Sequence, residues 1–131
     1  MQHRLTTETE KGTIVAAMEA LDLKVHGMIP DDFVDHFQVL VEAQRLYQQR
    51  YSQYKDRPIR AMGWRGCLMQ ARTCAERLWS RMLDKEWVLD DALDGINYFV
   101  HYVRQGLNEN IGWEYPGPQE LDNRGPSEPG A

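Results

Sequence analysis

The chain has 131 residues, 42% hydrophobic and 27% charged, with a formal net charge of -5 and a pI of about 5.3. That length and composition fit one domain with one real core, and the acidic balance argues against a duplex nucleic-acid binder, whose affinity would come from a basic face. No signal-peptide pattern and no apolar run of membrane-spanning length occurs, so the expectation is a cytoplasmic protein with reduced thiols and no membrane contact.

Helix signals dominate in chain order, and no alternating strand pattern competes with them. "TTETEKGTIVAAMEALDL" opens with capping residues and sets Ile14, Val15, Met18 and Leu21 on one face. "HGMIP" ends that helix, and Pro30 suits the first turn of the next, which is expected to run to near Tyr54. Its stripe is Phe33, Phe37, Leu40, Val41 and Tyr47. "KDRPIRAMGWRG" reads as a basic loop punctuated by Pro and Gly.

A third helix is expected over roughly 65–83, with Leu68, Ala71, Ala75, Leu78 and Met82 on its apolar face. Cys67 and Cys74 fall on one flank, two turns apart and so roughly 10 Å from each other, too far for a disulfide. With two cysteines and no CxxC, a zinc site has little support. After "DKEW" a fourth helix is expected near 89–105, lined on its core side by Leu89, Leu93, Ile96, Val100 and Val103. From there "NENIGWEYPGPQELDNRGPSEPGA" is rich in Gly, Pro, Asn and acid. It reads as a flexible tail over 108–131 behind a bundle domain over 1–107, with Trp113 and Tyr115 pinning its start. The architecture is thus an all-α, small antiparallel bundle of about four helices, whose many aromatics suggest completion of the core in a homodimer.

The fourth helix carries the chemistry. At about 100° per residue, Asp91, Asp94 and Asn97 step down one side, with Asp90 and His101 on the same flank. Asp90 and Asp91 have a plain explanation as acids in a first turn; Asp94 sits a turn further in, beside the core. Mg²⁺, or Mn²⁺ in its place, takes oxygen ligands and keeps several waters, so two or three carboxylates plus phosphates suffice. On the third helix Glu76 is either an i,i+4 partner of Arg72 or the acid that completes this cluster. Lys55, Arg57 and Arg65, with Trp64 between Gly63 and Gly66, form a place suited to phosphate and to stacking on a base.

"DDALDGINY", preceded by "ARTCAERLWSRM" and "MGWRG", resembles the all-α nucleoside triphosphate pyrophosphohydrolase superfamily, the MazG-like and dimeric dUTPase-like proteins. The nearer likeness is to its phage-associated branch, the nucleotide modification associated domain, and covers residues 47 to 113. The resemblance implies a phage-encoded, Mg²⁺-dependent hydrolase in the host cytoplasm that releases pyrophosphate from a (deoxy)nucleotide. Glu76, Asp91 and Asp94 would hold the metal, and Asn97, His101, Lys55, Arg57, Trp64, Arg65 and Arg72 would contact substrate. The family's ExxE on the preceding helix is incomplete, because Thr73 and Trp79 flank Glu76 at that spacing. A catalytically silent bundle that binds a host protein or sequesters a nucleotide is the alternative.

Overall fold

The computed structural model describes residues 8–85 and 88–109, and these form four helices: α1 (Glu8–Ala20), α2 (Asp31–Tyr54), α3 (Arg57–Leu83) and α4 (Leu89–Asn108). No strand occurs among the described residues, and no described helix is long and apolar enough to cross a membrane. Most of the expected tail, with Trp113 and Tyr115, lies outside the described residues.

α4 is the central element. It packs along α3 and, less extensively, against α2, while α1 rests mainly on α2. A small cluster of Ile14, Met18 and Val34, joined by Val15, Ile29, Phe37 and Val41, seals α1 to α2. The connection closes α1 with a residue in left-handed conformation, Asp22 (φ 56°), and the Leu23 amide returns to the Met18 carbonyl at 2.9 Å, as in a Schellman stop. His26 and Gly27, both at positive φ, then form a two-residue turn bracketed by the reciprocal Val25–Met28 hydrogen bonds.

The segment "KDRPIRAMGWRG" corrects the sequence reading, for from Arg57 on it is helical and not a loop. Pro58 stands in the first turn of α3, where its missing N–H costs no hydrogen bond. Gly63 (φ 67°, ψ -178°) breaks the helix into two pieces, a backbone conformation that only glycine adopts without strain. The helix restarts at Trp64, whose amide donates to the Glu109 carboxylate at 2.9 Å. That carboxylate supplies what an N-cap side chain usually supplies, and it comes from the far end of α4.

The faces also differ from the expected stripes. α4 buries Leu93, His101, Gln105 and Gly106 and leaves Val100 and Val103, assigned to its core side, exposed. α2 buries Val34, Gln38 and Ala43 and exposes Phe33 and Leu40. α3 buries Ala71 with the cysteine flank, while Leu68 and Met82 face outward. Polar tethers between helices set these rotations. Asn97 Nδ2 donates to the Ala43 carbonyl at 2.8 Å, and Arg104 reaches Asp56 at 3.1 Å, which turns the Asn97–His101–Arg104 side of α4 towards α2. The cysteines are both buried and free.

Candidate functional site

The polar side of α4 meets α2 and the first piece of α3 around a cavity of about 320 Å³. α2 contributes Tyr47, Arg50 and Tyr54, which share a face because they are three and four residues apart. Lys55, Pro58, Ile59 and Met62 line it from the α2–α3 junction, and Asp94, Asn97, Tyr98 and His101 from α4. Lys55 holds φ at 58°, a region that costs a non-glycine residue of order 1–3 kcal/mol and so tends to persist where the surroundings impose it.

A hydrogen-bonded network forms the floor. Tyr47 donates its hydroxyl to Asp56 Oδ1, and Arg104 donates to Asp56 Oδ2 at 3.1 Å and to His101 Nδ1 at 3.0 Å. A guanidinium can only donate, so His101 Nδ1 accepts, and the ring is the neutral tautomer protonated on Nε2. Burial, at 3% exposure, pushes the His101 pKa below its usual value, and the Arg104 charge lowers it further against the opposing pull of Asp56. For Asp56 burial alone would raise the pKa, but the Tyr47 and Arg104 hydrogen bonds and the Arg104 charge outweigh it, and the carboxyl lies below its ordinary range. Asp94 goes the other way: burial raises its pKa, and Arg50, 3.5 Å away, only partly offsets that.

The structure gives each residue expected to share a metal a guanidinium partner. Glu76 is exposed and accepts from Arg72 Nε at 3.0 Å, the i,i+4 pair. Asp91 pairs with Arg81 at 3.4 Å, and Asp94 with Arg50. Among the described residues no group of three or more His, Cys, Asp or Glu side chains could hold a metal ion. Each carboxylate already faces a guanidinium, and Glu76 belongs to a different, solvated face of α3.

The expected substrate contacts divide as well. Lys55, Asn97 and His101 line the cavity, and Asn97 also ties α4 to α2. Arg57 and Arg65 are exposed, and Arg65 lies over the Trp64 ring with its guanidinium carbon 5.0 Å from the centroid. Trp64 packs against Tyr102, and its amide, in the place expected to suit phosphate, donates to Glu109. Sequence reasoning missed Arg50, Tyr98, Asp56 and Arg104. The i, i+3, i+7 spacing of Tyr47, Arg50 and Tyr54 was a usable signal for the α2 wall. Nothing local marks Asp56 and Arg104, 48 residues apart, as partners. Compared with known protein families, curated proteins and solved structures, the chain matches none.

Proposed function

We propose that this chain is a nucleotide-binding helical bundle, with the ligand's phosphates on Arg50 and Lys55 and its base against the tyrosines of the cavity. The observation that carries the reading is convergence: two cations, three tyrosines, an asparagine and a neutral histidine surround one cavity of about 320 Å³, a size within the range of small-molecule sites. Arg50 holds Asp94 only loosely, at 3.5 Å, and a guanidinium fork fits phosphate oxygens in a bidentate manner. The neutral His101 offers an N–H donor to a ligand acceptor. The likeness of "DDALDGINY" to MazG-like bundles supports the same ligand class. Pyrophosphate hydrolysis is left out, because Asp94 is the single carboxylate of the expected metal set that lines the cavity.

Thermal unfolding with a panel of ribo- and deoxynucleotides, with and without Mg²⁺, tests this. A bound nucleotide at 100 times its Kd stabilises the native state by about 2.7 kcal/mol. Arg50→Ala and Lys55→Ala are expected to remove most of that gain, and Glu76→Gln none of it. A panel without any shift refutes nucleotide binding and leaves a protein-binding bundle. Mg²⁺-dependent pyrophosphate release, lost in Asp94→Asn, would restore the hydrolase.

A further inference from the structure

The positive charge of this acidic chain is concentrated at one corner. Residues 50–65, the end of α2 and the first piece of α3, carry five of the chain's 15 Lys and Arg but one of its 20 Asp and Glu. The five are Arg50, Lys55, Arg57, Arg60 and Arg65, all exposed. Lys55, Arg57, Arg60 and Arg65 form no ion pair among the described residues. The one acid, Asp56, is held by Arg104 and Tyr47. The cavity uses Arg50 and Lys55, which leaves three guanidinium groups beside it without a counter-charge.

Resting on the nucleotide reading of that cavity, we infer that its ligand is one nucleotide of a single-stranded polynucleotide, whose neighbouring phosphates lie on Arg57, Arg60 and Arg65. In the first piece of α3, Pro58, Ile59 and Met62 turn to the cavity. At about 100° per residue, Arg57 and Arg60 fall on the opposite side. That piece is about 10–12 Å thick with its side chains, a width that roughly three nucleotides cross at ~3.4 Å each. A strand with one base in the cavity therefore brings its next few phosphates to these arginines, and a free mononucleotide does not. Tyr54 lines the cavity yet is 63% exposed, and Tyr51 is 43% exposed, with Lys55 over its ring. Bases of any sequence stack on such rings. A duplex is a poor match, because a paired base must first be flipped out of the stack to enter a cavity. The acids elsewhere in the chain also repel a long polyanion, so the footprint is short, about four nucleotides.

Fluorescence anisotropy of labelled oligothymidylate and oligouridylate with the full chain tests this, beside a hairpin duplex and the best mononucleotide of the thermal panel. Binding by either single strand supports the inference, and the tighter of the two names the sugar. That strand is expected to bind at least about tenfold more tightly than the mononucleotide, with log K falling against log salt at a slope of about −3 for four to five phosphates. Arg57→Glu combined with Arg60→Glu, both exposed, is expected to erase that advantage while the mononucleotide's thermal shift and the helical circular dichroism stay unchanged. Lys85→Glu, exposed at the far end of α3, alters neither. A mononucleotide that raises Tm while both strands bind no more tightly overturns the strand and spares the nucleotide reading; no binding by any of them overturns both. A duplex that binds as tightly as the single strands, or polyglutamate that displaces them at equal charge, also overturns the inference.

Discussion

Arg104→Met tests the floor of the cavity. In the wild type the Asp56 side chain is 14% exposed and that of Arg104 39% exposed, with contacts of 3.1 Å to Oδ2 and 3.4 Å to Oδ1. A hydrogen bond to a charged group contributes about 1.5–3 kcal/mol, and losing one partner of a fully buried pair costs about 3–5 kcal/mol. Arg104 is more than a third exposed, so solvent screening reduces the figure, and Asp56 keeps the Tyr47 hydroxyl. The expected loss is therefore about 2 kcal/mol at pH 7, a fall in Tm of about 7–10 °C for a domain of this size. Asp56→Asn with Arg104→Met completes a double-mutant cycle whose coupling should be about 1 kcal/mol or more. The sign with pH is also fixed. The Asp56 pKa is depressed, so its contribution is present above the ordinary carboxylate pKa and is lost as pH falls through the lower folded value. In Arg104→Met that depression is relieved, Asp56 accepts a proton at a higher pH than in the wild type, and the cost of the substitution shrinks as pH falls. Urea titrations at pH 7 and pH 4 measure this. An equal cost at both, or a coupling under about 0.3 kcal/mol, refutes the network as described.

His101, held neutral with its pKa below the usual value, has stability to lose as pH falls from its ordinary pKa to the folded one, because the unfolded chain binds the proton first. His101→Gln is expected to flatten that part of the urea-midpoint profile, and an unchanged slope counts against burial of a neutral ring. Gly63→Ala places a Cβ about 3.2 Å from Glu109 Oε1 at φ 67° and is expected to cost about 1–3 kcal/mol in thermal unfolding. Gly12→Ala, inside α1 with open space around it, is expected to stabilise by about 0.5–1 kcal/mol. The reverse order of these two would overturn the assigned backbone conformations.

The helices and their number were legible in the sequence because caps, Pro30 and apolar periodicity act locally. The bounds of α2 and the start of α4 follow from those signals. The inward side of α1 was legible, with Ile14 and Met18 buried as expected, but that of the other helices was legible only in part. Periodicity locates an apolar stripe, and the usual inference that the stripe faces the core holds for Leu93 of α4 but fails for Val100 and Val103, where Asn97 and Arg104 bond to α2 instead. Pro58 and Gly63 read as loop punctuation, yet one occupies a first turn and the other a break closed by Glu109. The i,i+4 reading of Arg72 and Glu76 needed no tertiary information, and the structure contains that pair. The cavity walls needed both the α2 register and the α2–α4 tethers, which no short stretch encodes.

Glu109, which finishes the restarted α3 helix at Trp64, lies 45 residues downstream of it. A ribosome therefore releases the bare amides of that restart long before their carboxylate exists. Until the last turn of α4 has emerged, the broken helix is held only by water at its restart, so its maturation waits for synthesis of the chain's fourth coil. Trimming the polypeptide ahead of Glu109 would leave the bend permanently unfinished.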